Sequence, residues 1–143
     1  MTTGVGTDVA AGIATIRIDR PARMNALDGP AANALTEALT GLADRPDVRV
    51  VVITGTGSAF STGADITELS SAAPASPEES TANATETMRT GNALIRAVIE
   101  LPVPVIAQVN GIAAGVGALL HWHRTWCTRP RKQSSCLRSR TWG

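Results

Sequence analysis

The stretch that decides the fold is Val48-Arg49-Val50-Val51-Val52-Ile53-Thr54, continued by Gly55-Thr56-Gly57-Ser58-Ala59-Phe60-Ser61-Thr62-Gly63-Ala64-Asp65. Its first half is a β-branched apolar run, the pattern of a strand buried on both faces of a parallel sheet. Its second half is a Gly/Ser/Thr loop whose side chains are too small to carry chemistry. A loop of that kind leaving a buried strand lets main-chain N–H groups approach a ligand closely. The backbone, rather than a side chain, is therefore the expected functional group.

Working outward, Ile13 to Ile18 reads as a strand ended by Asp19-Arg20-Pro21, and Met1 to Val9 as a frayed end with a first short strand. Arg23 to Asp28 reads as a loop. Pro30 to Ala43 reads as a helix started by Asp28 or Gly29, with Ala31, Ala34, Leu35, Ala38, Leu39 and Leu42 as its apolar stripe. Strand, helix and the Val48 strand form a unit that implies a parallel sheet with a right-handed crossover. Ser70 to Ser80 is Ser/Ala/Pro-rich and aperiodic, the composition of a mobile loop. Glu86 to Leu101 is helical in spacing and Val103 to Val109 is a second buried strand. Asn110-Gly111 is a turn, and Gly115-Val116-Gly117 opens a further helix.

Three blocks of this chain together resemble the crotonase (enoyl-CoA hydratase/isomerase) superfamily. They are Asp19-Arg20-Pro21 with Asn25-Ala26-Leu27-Asp28; Ala59 to Leu69; and Pro102 to Ala107 followed by Val109-Asn110-Gly111-Ile112-Ala113-Ala114-Gly115-Val116-Gly117. The resemblance covers roughly residues 9 to 118. It implies an α/β, crotonase-like ββα spiral core, truncated, with residues 1–118 as the N-terminal part of an acyl-CoA domain. It implies an enoyl-CoA or other acyl-CoA thioester as substrate, and neither metal nor redox cofactor. The backbone N–H groups of Ala64 and Val116 would form an oxyanion hole for the thioester oxygen, aided by a helix N-terminus. Ala26, Leu27, Ala64, Asp65, Ile66 and Gly115 would line the substrate path. The resemblance makes Asp65 the cap of a short helix from Ile66 to Leu69 rather than an acid. Glu68, Glu78 and Glu79 are read as solvated. Family members assemble as homo-trimers or hexamers, largely through a region beyond residue 118.

The chain departs from the family where hydration needs its acids. Two glutamates serve there as general acid and base on a water. The first belongs two residues after Gly117, and that position is Leu119. The second belongs in a stretch that here holds no acid, so no residue is assigned as acid/base. A truncated protein with little or no hydratase activity is expected; the alternative is a non-catalytic remnant that binds acyl-CoA or a partner. Marginal stability follows from sheet faces left without cover.

Composition places the anomaly. Residues 1–120 carry all twelve acidic residues and seven of the thirteen basic ones, whereas 121–143 carry six basic residues and no acid. That tail also holds Trp122, Trp126, Trp142, His121, His123, Cys127, Cys136 and Lys132. Its His/Cys spacing fits no standard zinc pattern, so no metal is assigned. A basic, Trp-bearing arm could contact nucleic acid, but the leading reading is a non-family tail, disordered or out of frame. Reading GC-rich codons one base earlier yields approximately Ala-Leu-Ala-Pro-Asp-Leu-Val-Tyr-Ala, which resembles the family's continuation. No apolar run is long enough to span a bilayer, so no membrane is expected and a cytoplasmic location is the default.

Overall fold

The computed structural model describes residues 3–65, 67, 77–120 and 126–128. A hairpin opens the chain: β1 (Val5–Ala10) and β2 (Ile13–Ile18) pair antiparallel from Val5↔Ile18 to Ala10↔Ile13. The connecting Ala11 and Gly12 both take positive φ, 52° and 83°. A two-residue turn of that hand matches the twist of the strands it joins. A short 3₁₀ turn, Pro21–Arg23, interrupts what reads as plain loop, and α1 (Gly29–Leu42) follows. Asp28 is its N-cap: the carboxylate accepts a hydrogen bond from Ala31 N–H, and Pro30 occupies the first turn.

The decisive stretch becomes β3 (Val50–Gly55), which pairs parallel with β2 on one side. On its other side lies β5 (Val105–Gln108), also parallel, with Ile53 opposite Ala107. One set of alternating residues (Ala14, Ile16, Ile18, Val51, Ile53, Ala107) is solvent-free. These share a core with Leu35 and Leu39 of α1 and with Leu94 of α2 (Pro77–Glu100). The opposite face differs from the reading of a strand buried on both sides. Val50, Val52 and Ile106 are only half-buried, because the fully buried residues of both helices belong to the core on the other face.

Other elements shift as well. The second helix begins at Pro77 rather than Glu86, so residues 77–80, read as part of a loop, are helical. Its early turns are polar and exposed and give the sequence no apolar period to follow. Residues 70–76 of that expected loop lie outside the described residues. Ala59–Ser61, read as loop, is a strand (β4), and it pairs parallel with β6 (Ile112–Ala113) in a separate two-stranded sheet. The helix expected after Gly115 is α3 (Val116–Leu119). Within the basic tail, β7 (Trp126–Thr128) lies parallel to β5 and ends the five-stranded order β1-β2-β3-β5-β7. Residues 121–125 and 129–143 lie outside the described residues. No described helix is long and apolar enough to cross a membrane.

Candidate functional site

The small β4–β6 sheet organises the site. Its two strands run parallel, Ala59 opposite Ile112 and Ser61 opposite Ala113, so both chains leave the same end. Each then reaches a glycine in the left-handed region: Gly63 at φ 92° and Gly115 at φ 53°. Such angles are open to glycine without the steric cost a Cβ brings. The glycines lie against each other, since a Cβ on Gly115 would sit 3.6 Å from Gly63 Cα and 3.7 Å from the Thr62 carbonyl oxygen. Ala64 and Val116 are the next residues in their respective chains. The structure thus brings the two expected backbone donors into one neighbourhood, although they stand 52 positions apart.

The direction of one donor follows from peptide geometry. Leu27 N–H donates to the Gly63 carbonyl at 2.7 Å, and Asp65 N–H donates to the Leu27 carbonyl at 2.9 Å. These bonds flank Ala64 in an isolated parallel bridge with Leu27. A trans peptide is planar, with its C=O and N–H pointing opposite ways. Holding the Gly63 oxygen toward Leu27 therefore aims the Ala64 N–H away from it. Among the described residues nothing accepts from that N–H. Val116 is the first residue of α3, where N–H groups have no intrahelical acceptor. The neighbouring Ala118 N–H, by contrast, reaches the Ala114 and Gly115 carbonyls at 3.3 and 3.0 Å.

The other sequence-predicted residues surround this pair. Ala26 and Leu27 are buried, with Leu27 part of the core, so both meet the site through their backbone. The Ala26 carbonyl accepts from Arg20 Nη1 at 2.5 Å, and Arg20 Nη2 pairs with the Asp28 carboxylate that caps α1. Gly115 is exposed. Ile66 lies outside the described residues, as do Glu68 and Leu69.

Asp65 is 8 % exposed and folds its carboxylate back on the chain, accepting from Thr67 N–H at 3.0 Å and Thr67 hydroxyl at 2.5 Å. This is the local side-chain-to-backbone bond of an Asx turn. The Thr67 hydroxyl bond, with help from the Thr67 N–H and the Arg23 and Arg20 charges, holds the Asp65 carboxyl below its usual value of 3.8. A depressed folded pKa stabilises the protein above the unfolded value and loses that contribution as pH falls through the folded one. Between pH 5 and pH 2 the melting temperature of the wild type is expected to fall further than that of Asp65→Asn. Parallel slopes in thermal melts would contradict this.

Sequence reading passed over three residues that hold the loops in place. Asn25 is fully buried with φ 56°. Its Oδ1 accepts from Arg20 N–H at 2.8 Å, and its Nδ2 donates to the Thr56 and Ala59 carbonyls at 2.8 and 2.7 Å. Asn110 works from the other side: Oδ1 accepts from Gly55 N–H at 3.1 Å and Nδ2 donates to the Gly57 and Ala59 carbonyls at 2.9 and 3.1 Å. Ser61, also fully buried, joins Asn25 to Gly63 through its hydroxyl. The signal was a pair of asparagines and a serine bordering glycine turns, a pattern common to many ordinary turns. Among the described residues no group of three or more His, Cys, Asp or Glu is placed to hold a metal.

A mostly parallel α/β sheet with helices on one face, feeding two glycine-led loops that meet at one end of a second small sheet, defines a crotonase-type fold. The chain belongs to the enoyl-CoA hydratase/isomerase family, whose profile it matches over residues 8–123. It is 35% identical over 114 residues to the zebrafish (Danio rerio) mitochondrial enoyl-CoA hydratase domain-containing protein 3, covering 80% of this chain and 37% of that protein. To the 1,2-epoxyphenylacetyl-CoA isomerase of Escherichia coli K12 it is 34% identical over 112 residues, covering 78% of this chain and 42% of the relative. The crystal structure of an enoyl-CoA hydratase from Mycobacterium smegmatis superposes with a TM-score of 0.72 at 34% identity, covering 82% of this chain and 44% of that one. The chain thus spans about two fifths of the length of these relatives.

Proposed function

We propose that the chain binds a coenzyme A thioester and stabilises the enolate form of its acyl group through the N–H groups of Ala64 and Val116. The observation that carries this reading is the meeting of Gly63-Ala64 with Gly115-Val116, with the Ala64 N–H turned away from its bridge partner. Two fixed backbone donors aimed at one oxygen favour the state in which negative charge has moved onto it. They need not rearrange as the charge develops, because the carbonyls sharing their peptide planes, those of Gly63 and Gly115, already accept from Leu27 and Ala118 N–H.

Hydration requires an acid/base on a water, and Leu119 stands where the family places its first glutamate. The basic residues of the tail cannot replace a second carboxylate, and among the nearby acids Asp65 is committed to Thr67. We therefore assign thioester binding and carbonyl polarisation to this chain, with little or no hydration. Calorimetric titration with crotonyl-CoA, paired with a hydration assay, tests both halves. Saturable binding without turnover is the expected result. Hydration that disappears on altering the loop around Ala64 would overturn the non-hydrating half, and no binding of any coenzyme A ester would overturn the whole.

The second reading is a non-catalytic acyl-CoA-binding or partner-binding remnant, favoured by the half-buried Val50, Val52 and Ile106 face. Its acyl-CoA-binding form differs in leaving the bound thioester carbonyl unpolarised, and its partner-binding form in binding no thioester.

A further inference from the structure

We propose that Ser61 is a positioning residue that locks the Gly63 hinge beside the Ala64 N–H and keeps the two donor segments in register. The proposal rests on the reading of Ala64 and Val116 as carbonyl-binding donors. Ser61 has no solvent exposure. Its hydroxyl donates to the Asn25 carbonyl at 2.9 Å and accepts from Gly63 N–H at 3.2 Å. Its main-chain carbonyl accepts from Ala114 N–H at 3.0 Å, two residues before Val116. Gly117 packs directly on it: a Cβ there would overlap the Ser61 carbonyl oxygen and come within 2.9 Å of the Ser61 Cβ. One residue therefore touches the chain beside each donor.

The hydroxyl has a specific geometric consequence. Gly63 is the hinge before Ala64, and a glycine has more conformational freedom than any other residue. Two peptide planes meet at its Cα. Leu27 fixes the second of them by holding the Gly63 carbonyl at 2.7 Å. Ser61 Oγ fixes the first by holding the Gly63 N–H. With both planes held, the two soft dihedrals of Gly63 are determined, and the Ala64 N–H can point only one way. Without the hydroxyl the first plane is free, and the peptide held by Leu27, with its donor, can shift against β4 and the Val116 segment over the range that glycine allows.

A serine that merely fills the core would change stability alone. A positioning serine would change how strongly a bound carbonyl is polarised, while contacts to the rest of the coenzyme A ester persist. The test uses the full chain with Ser61→Ala and Ser61→Cys. Amide hydrogen exchange is read at Gly63, with Ala114 as internal control because its acceptor is the Ser61 main chain. The bound carbonyl is read by isotope-edited infrared spectroscopy of carbonyl-labelled crotonyl-CoA. Expected in Ser61→Ala are roughly tenfold faster exchange at Gly63, unchanged exchange at Ala114, and a carbonyl stretch returned toward that of the free ligand. Ser61→Cys should fall between, since a thiol is a weak donor and acceptor, and it carries the test if the alanine variant does not fold. A wild-type shift that Ser61→Ala reproduces, or Gly63 exchange that does not change, overturns the assignment of Ser61 alone. A wild-type carbonyl that is bound but unshifted removes the donor reading and the role of Ser61 with it.

Discussion

Gly111→Ala is expected to destabilise the protein by about 4 kcal/mol, at the upper end of single substitutions. A Cβ at this position would overlap the Ser58 carbonyl oxygen, lie 2.6 Å from the Ser58 carbonyl carbon and 3.1 Å from Ala59 Cα. All three neighbours are main chain, so no rotamer change relieves the clash. Only separation of the segments at β4 and β6 does, and overpacking that moves backbone costs more than the about 1–3 kcal/mol of an ordinary core insertion. Those strands set the spacing of Gly63 and Gly115, so ligand binding should be lost with stability. Gly41→Ala is the matched control. Gly41 lies in α1 with nothing near its missing Cβ, and alanine there should stabilise by about 0.5–1 kcal/mol. Urea denaturation of both variants reads the difference. Equal midpoints would show that the close approach at Ser58 is not a constraint of the fold.

Asn25→Ala should cost about 3 kcal/mol. It removes three hydrogen bonds and leaves the Arg20 N–H without its acceptor and the Thr56 carbonyl without that donor. A buried polar group left unpaired costs about 1–3 kcal/mol. The Ala59 carbonyl is spared, because Asn110 Nδ2 still reaches it at 3.1 Å. Backbone strain adds to the loss: φ at this position is 56°, a region asparagine tolerates better than alanine. Asn25→Gly separates the two causes, since it removes the same hydrogen bonds without the strain, and should be the milder variant. A denaturation midpoint for Asn25→Ala within about 0.5 kcal/mol of wild type, the range of ordinary surface substitutions, would contradict the role of Asn25 as a buried clamp.

The elements legible from sequence were those whose burial repeats at a regular period. Ile16 and Ile18 share one face of β2, and α1 announces itself by Asp28, Pro30 and the Leu35/Leu39/Leu42 stripe. β3 was legible as a strand from its continuous β-branched run, but not that only its Val51/Ile53 face is fully buried. The β4 and β6 strands were not legible, because three and two residues are too short to display a period. Each becomes a strand only through the other, a pairing across some fifty positions. The start of α2 was hidden for a different reason. Residues 78–89 face solvent where they are described, so their helicity leaves no apolar mark.

The site divides along the same line. Resemblance named Ala64 and Val116, and glycine-rich wording marked their loops, but wording could not state that Gly63 and Gly115 touch. Nor could it assign Asn25, Ser61 and Asn110, whose roles consist of partners distant in sequence. A backbone donor leaves no chemical signature of its own. What the sequence displays is the set of glycines and small polar residues that make room for it, and those are the residues at which substitution should be most costly.

The most direct test of the central claim is a crystal structure of the protein with butyryl-CoA bound. The thioester oxygen is expected about 2.7–3.1 Å from both the Ala64 and the Val116 main-chain nitrogens, the range of an oxyanion donor. A thioester oxygen bound elsewhere, with those two N–H groups facing water or the adenine end of the ligand, would contradict it.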